Sequence, residues 1–230
     1  MSEISGTMSG AAALQRVKVW DLPVRIFHWT LVLLIAFSWW SGKEGGNVMH
    51  YHMWSGYAIL TMVLFRVVWG FCGSSSARFT DFVRGPRAAI AYLRTLTERR
   101  AGAHLGHNPL GGWNVVLLLA CILIQAGTGL FANDDIVTEG PLYKLVTKER
   151  SDFLTAIHYY NFYVILALAA AHIGAVLFYL IYKADNLVKP MFTGYKMRAA
   201  GDASPRLAST WLAAVLVAIA ACAVFFIVRK

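Results

Sequence analysis

Ser151–Lys183 reads SDFLTAIHYYNFYVILALAAAHIGAVLFYLIYK. A helix needs about 20 largely apolar residues to cross the hydrocarbon core of a bilayer, and this stretch is long and apolar enough. It carries two histidines, His158 and His172, 172 − 158 = 14 residues apart. At ~100° and ~1.5 Å per residue, they lie about 40° short of four full turns and about 21 Å apart along the axis. The two imidazoles therefore share one stripe of one helix at two depths. Ionisable side chains inside a span are rare and mark functional positions.

The remaining composition agrees with a membrane setting. Of 230 residues, 58% are hydrophobic, and the mean hydropathy is +0.54, which excludes an ordinary soluble domain. Eight Trp and ten Tyr suit interfacial belts. The net charge of +9 reads as topology, loop by loop, and not as a nucleic-acid signal. Cys121 and Cys222 fall inside apolar runs and Cys72 at the end of one. No CxxC pair exists, so neither a zinc site nor covalent c-type haem attachment is expected. The three read as small packing residues. Residues 1–20 lack the apolar core of a cleaved signal, so the first span should be its own anchor.

The pattern predicts an all-α membrane protein: a four-helix bundle plus a fifth, C-terminal transmembrane helix. Residues 1–20 form an N-terminal segment, and 21–183 hold four spans at about 24–41, 50–71, 113–131 and 156–183. A linker, 184–206, leads to the fifth span at 207–228. Asp21 and Pro23 suit the start of span one, and Asn47 suits the cap of span two. GPRAAIAYLRTLTERR, from Gly85 to Arg100, reads as a helix lying on the membrane surface. Asn133 to about Ser151 reads as an acidic loop.

Bases orient the chain. Arg16, Lys18 and Arg25 precede or open span one, six arginines lie between spans two and three, and five bases lie between spans four and five. All three groups fall on one side. The acidic loop on the other side holds five acids (Asp134, Asp135, Glu139, Glu149, Asp152) against Lys144, Lys148 and Arg150. The positive-inside rule puts the N-terminus in the cytoplasm.

Depth then pairs the histidines. His52 lies just inside span two and His158 just inside span four, and both spans start on the same side. His172, farther down span four, returns to the level of His28 in span one. Two bis-histidine pairs result, His52 with His158 and His28 with His172. Such a pair suits the iron of a haem, low-spin and without an open position, which serves electron transfer. His50 is two residues from His52, about 200° around the helix, so only one faces the bundle. Gly56, one turn after His52, leaves room for a flat porphyrin and favours His52. His104 and His107 read as loop or surface residues.

Arg66 follows His52 by 14 residues and shares its face at the level of the His28–His172 pair. A haem propionate is its expected partner, because no Asp or Glu lies within spans one to four at that level. The competing reading is that it snorkels to the surface. Gln125 and Thr128 read as interhelical hydrogen-bonding residues.

VWDLPVRIFHW, HMWSGYAILTMVLFRVVWGFCG, LGHNPLGGWNV and the two histidines of span four resemble the bacterial cytochrome b561 family. That family includes hydrogenase b-type cytochrome subunits and superoxide oxidase. The resemblance covers roughly residues 17–183. It implies a bacterial inner-membrane protein with two non-covalent b haems on His28, His52, His158 and His172, the same four residues reached from depth. It also implies exchange with a quinone, ubiquinone or menaquinone. The candidate donors are a periplasmic cytochrome c or a hydrogenase-type protein. The sequence offers no catalytic acid, base or nucleophile, so the haems would be the working parts. The main alternative is a superoxide oxidase that reduces quinone, and the acidic outer loop disfavours it, since superoxide is an anion. The fifth span departs from the four-span pattern and carries no histidine.

Overall fold

The first helix starts where Asp21 turns the chain. Its Oδ1 accepts the Val24 N–H at 2.7 Å and Pro23 sits in the first turn, so α1 runs Leu22–Glu44. The computed structural model describes residues 14–99, 106–199 and 204–229. Gly45 and Gly46, both at positive φ (63° and 51°), reverse the chain into a 3₁₀ turn, Gly46–Val48. The second helix, α2, follows at Met49–Cys72. Asn47 lies inside that turn and does not cap α2, contrary to the expectation from sequence. Backbone carbonyls of Gly45 and Gly46 take the N–H groups of Val48 and Met49 instead.

A four-residue α3, Phe79–Phe82, precedes α4, Pro86–Arg94. The surface helix is thus shorter than its sequence suggested. It ends where β-branched Thr95 and Thr97 enter and the chain closes in single turns. Asn108 caps α5, Pro109–Gly129, accepting the Gly111 N–H at 2.7 Å. The long α6 runs Lys148–Ile181, so the end of the expected acidic loop is helical. Thr147 caps it, and Lys148 pairs with Asp152 one turn on at 2.5 Å. Short α7, Val188–Thr193, leads into a strand and then α8, Thr210–Val228.

One element had no signature in the sequence. Strand β1, Leu14–Lys18, pairs antiparallel with β2, Tyr195–Ala199, in the register Leu14↔Ala199 to Lys18↔Tyr195. The N-terminal segment and the linker, read as separate and irregular, form one ribbon. Gly194 makes the junction: its carbonyl accepts the Val19 and Trp20 N–H groups at 2.8 and 3.2 Å. It sits at φ +85°, and a Cβ there would lie 3.0 Å from the Trp20 carbonyl oxygen.

The helices pack in sequence, α1 on α2, α2 on α5 and α5 on α6, with α8 on the outer side of α2. Phe27, Val63, Phe65, Trp69, Ile122 and Ile165 form the centre of the buried core. The Ser38 and Ser55 hydroxyls bond at 2.7 Å and pin α1 to α2. On α8, Ala213, Ala220 and Val224 are the buried stripe. Five helices are long and apolar enough to cross a membrane. Their outward faces carry bare apolar side chains, with Leu33 70% and Trp54 68% exposed, as lipid contact requires. The all-α membrane bundle expected from the sequence is what the chain forms. One end collects α3, α4 and the ribbon and is rich in bases; the other holds the acidic loop.

Candidate functional site

Two pairs of imidazoles meet inside the bundle, and α6 contributes one ring to each. At the acidic end, His52 of α2 faces His158 with ring centroids 6.1 Å apart. At the basic end, His28 of α1 faces His172 at 6.3 Å. Among the described residues no three His, Cys, Asp or Glu gather, so the arrangement is one of pairs.

The acidic-end pair is closely held. His52 Nδ1 lies 2.8 Å from the Ser38 carbonyl, and His158 Nδ1 lies 2.8 Å from the Gln125 carbonyl. A carbonyl only accepts, so each Nδ1 carries the proton and each Nε2 keeps its lone pair. The side chain of Gln125 is held in turn: its amide oxygen accepts from Asn161 Nδ2 at 2.8 Å. Two glycines press on the rings. A Cβ on Gly42 would lie 2.9 Å from His52 Nδ1, and one on Gly129 would lie 2.9 Å from His158 Cε1. At Gly56 a Cβ would meet nothing within 4 Å.

The basic-end pair is held differently. His172 Nδ1 has Asn114 Nδ2 at 3.5 Å, a long contact. His28 Nδ1 is enclosed and has no hydrogen-bond partner. Trp29 packs edge-on against the His28 ring, with centroids 4.9 Å apart.

Arg66 does not snorkel: it is 2% exposed. Its Nη2 donates to the Ala77 carbonyl at 3.1 Å, its guanidinium lies 5.3 Å from the Phe79 ring centre, and Nη1 is enclosed without an acceptor. One carboxylate, Asp21, is near enough to attract it electrostatically, although no acid lies within the spans themselves at that level. Asp21 caps span one from just outside it, so counting acids within spans overlooked it. Its oxygens serve the Val24 N–H and the Trp69 indole N–H (3.1 Å), and it forms no ion pair with Arg66.

His50 is exposed, lies tilted against Tyr51 with ring centroids 3.7 Å apart and lines a surface depression with Met49, Met53 and Glu139. His104 lies outside the described residues. His107 lies in a loop, as the sequence suggested, but its ring is enclosed. Its ring is wedged between Trp20 (4.9 Å) and Phe82 (4.6 Å), and Nδ1 is enclosed without a partner. Burial chiefly, with Arg66, His172 and His28 adding, lowers its pKa from 6.5 to about 3, so the ring is neutral. A loop between two apolar spans gave no hint that it folds inward. Gly42, Gly129 and Asn114 were also missed; small and polar residues inside apolar runs were their only signal. Thr128 bonds back to Ile124 and Gln125 carbonyls (2.7 and 3.1 Å) and reaches His158 Nδ1 at 3.4 Å.

Neither a curated protein nor a solved structure gave a match to the chain. A family model, described as prokaryotic cytochrome b561, matches residues 19–194, which include all four paired histidines, Arg66 and His107. The chain therefore belongs to the prokaryotic cytochrome b561 family, multi-pass membrane cytochromes of the b type that serve in electron transfer.

Proposed function

We propose that the chain is a di-haem cytochrome that carries electrons between a redox partner on the acidic side and the membrane quinone. The observation that carries this is the spacing of the imidazole pairs. Two metal–nitrogen bonds of ~2.0 Å and two ring radii of ~1.1 Å place ring centres about 6.2 Å apart. The pairs stand at 6.1 and 6.3 Å. At the acidic end both rings also present Nε2 as the free lone pair, the form a metal takes. The residues present thus fit haem, with His52 and His158 holding one and His28 and His172 the other.

Bound haem would supply one-electron redox chemistry without an open coordination position. The chain's part is to fix spacing and surroundings. The carbonyls of Ser38 and Gln125 orient the acidic-end rings, Gly56 leaves a flat face beside His52, and Arg66 gives a cation at the basic end. The basic end faces the cytoplasm on this reading, since its loops carry the excess of Lys and Arg. Lys43, Lys144 and Lys148 are the outer lysines that could attract superoxide in the alternative reading, and of these Lys148 is held by Asp135 and Asp152, each at 2.5 Å.

The test is stoichiometry. A pyridine haemochrome assay on the purified chain should give about two haems per polypeptide, all extractable with acid acetone, as non-covalent b haem requires. A value near one, or haem that stays on the protein, overturns the proposal.

A further inference from the structure

At the basic end, three donors share one neighbourhood and none has a partner on the atom that matters. Arg66 Nη1, Ser76 Oγ and His107 Nδ1 are each enclosed and unbonded. Their backbones interlock. Arg66 donates by its other nitrogen to Ala77, the residue after Ser76. Gly106, the residue before His107, sits so that a Cβ on it would lie 4.0 Å from the Ser76 carbonyl oxygen and 3.7 Å from the Trp20 ring. Phe79 lies under Arg66, Phe82 lies against His107, and the two phenyl rings are 5.7 Å apart. Aromatic rings therefore flank this neighbourhood.

The serine is the telling member. Ser74, Ser75 and Ser76 are consecutive, and the first two are committed. Ser74 Oγ accepts the Ala208 N–H at 2.9 Å and Ser75 Oγ accepts the Arg206 N–H at 3.0 Å, which ties the entry of α8 to this loop. Ser76 has no such duty. A buried donor left unpaired is destabilising, so three together call for an acceptor. Cation, hydroxyl and, in its Nδ1–H tautomer, a neutral imidazole all suit a carboxylate, and Asp21 is taken by Val24 and Trp69.

We propose that Arg66, Ser76 and His107 form one donor cluster that receives the propionate carboxylates of the haem held between His28 and His172. This rests on the di-haem reading. Arg66 gives the charge, and Ser76 and His107 set the direction of the carboxylate from the two loops flanking the bundle. The loops after α2 and before α5 are thereby tied to the cofactor, although neither carries an iron ligand.

His107→Leu, His107→Gln and Ser76→Ala, each in the full chain, test this at pH 8, where propionates are ionised. Helix content by circular dichroism controls for folding, and the haem lost in His172→Ala identifies the basic-end signal. His107→Leu and Ser76→Ala should keep two haems and shift the basic-end reduction equilibrium towards the oxidised form, with the other haem unmoved. For His107→Leu the shift should be about twofold, or about 18 mV for one electron, smaller than that of the charged Arg66. The propionate-bending band in resonance Raman should move with it. His107→Gln, which keeps an N–H, should restore part of the shift. Two haems with an unmoved basic-end potential overturn the cluster. The same unmoved potential with a raised KM for quinone overturns it in favour of a quinone carbonyl as the acceptor. A single haem in the unaltered chain overturns the di-haem reading itself.

Discussion

The two histidine pairs have almost the same separation, 6.1 and 6.3 Å, and opposite support. At the acidic end the protein grips the imidazoles: carbonyls fix both Nδ1 atoms and glycines let α1 and α5 close on the rings. At the basic end the rings are loosely held and the polar groups lie elsewhere, in Arg66, Ser76 and His107. One pair is defined by how its rings are held and the other by what surrounds it. A strong Nδ1–H···O bond makes an imidazole more electron-rich, which stabilises ferric iron, whereas a nearby cation disfavours it. If each pair holds a haem, as proposed, both asymmetries should place the basic-end haem at the higher potential.

Deleting ligands breaks the comparison most severely. His52→Ala and His158→Ala should each remove the same haem, and His28→Ala and His172→Ala the other, as read by haem content and low-temperature α-band spectra. His50→Ala should remove neither, since His50 faces the surface depression. Loss of a haem in His50→Ala but not in His52→Ala would reverse the facing of α2.

Glycine changes come next and should act at one end only. Gly42→Ala and Gly129→Ala place a Cβ at 2.9 Å from a ligand ring. Overpacking of this kind destabilises by about 1–3 kcal/mol, so acidic-end haem affinity should fall while the basic-end haem stays. Gly56→Ala should leave the helices unstrained, and Gly56→Leu should block acidic-end haem binding. Equal haem loss at both ends in Gly129→Ala would mean that the two sites are not separately built.

Of these changes Arg66→Leu gives the smallest expected effect and sharpens the basic-end half. Ferric haem carries more positive charge than ferrous, so removing a cation favours the oxidised state. The basic-end potential should fall by several tens of millivolts, below the ~59 mV of a tenfold change, with the other nearly fixed. Redox titration decides it, and no shift with both haems retained would remove Arg66 from the cofactor site.

Much of this was legible in the chain. The apolar runs and Asp21 gave most of the helices, because span length and caps are local properties, whereas the Asn108 cap that starts α5 at Pro109 was not read. The 14-residue spacing on α6 and the up-down order gave the pairs, because a helix is regular enough for angles to be counted. Three kinds of feature stayed hidden. The β1–β2 ribbon joins residues some 180 positions apart in the sequence, and short polar strands carry no strong pattern. The His107 ring is enclosed only through Trp20, from the turn before α1, and Phe82 of α3. Gly42 and Gly129 look like ordinary small residues until a ring is set against them.

The spacing of His158 and His172 on one straight helix has an electrical consequence. Fourteen residues cover about 21 Å, roughly two-thirds of a ~30 Å hydrocarbon core. With a redox centre at each pair, an electron passing between them carries its charge through that share of the membrane field. At ~2.3 kcal/mol per charge for each 100 mV across the whole bilayer, the transfer is biased by about 1.6 kcal/mol per 100 mV. The resting voltage would therefore shift the electron between the pairs by more than tenfold per 100 mV, and the length of α6 between its histidines sets that sensitivity.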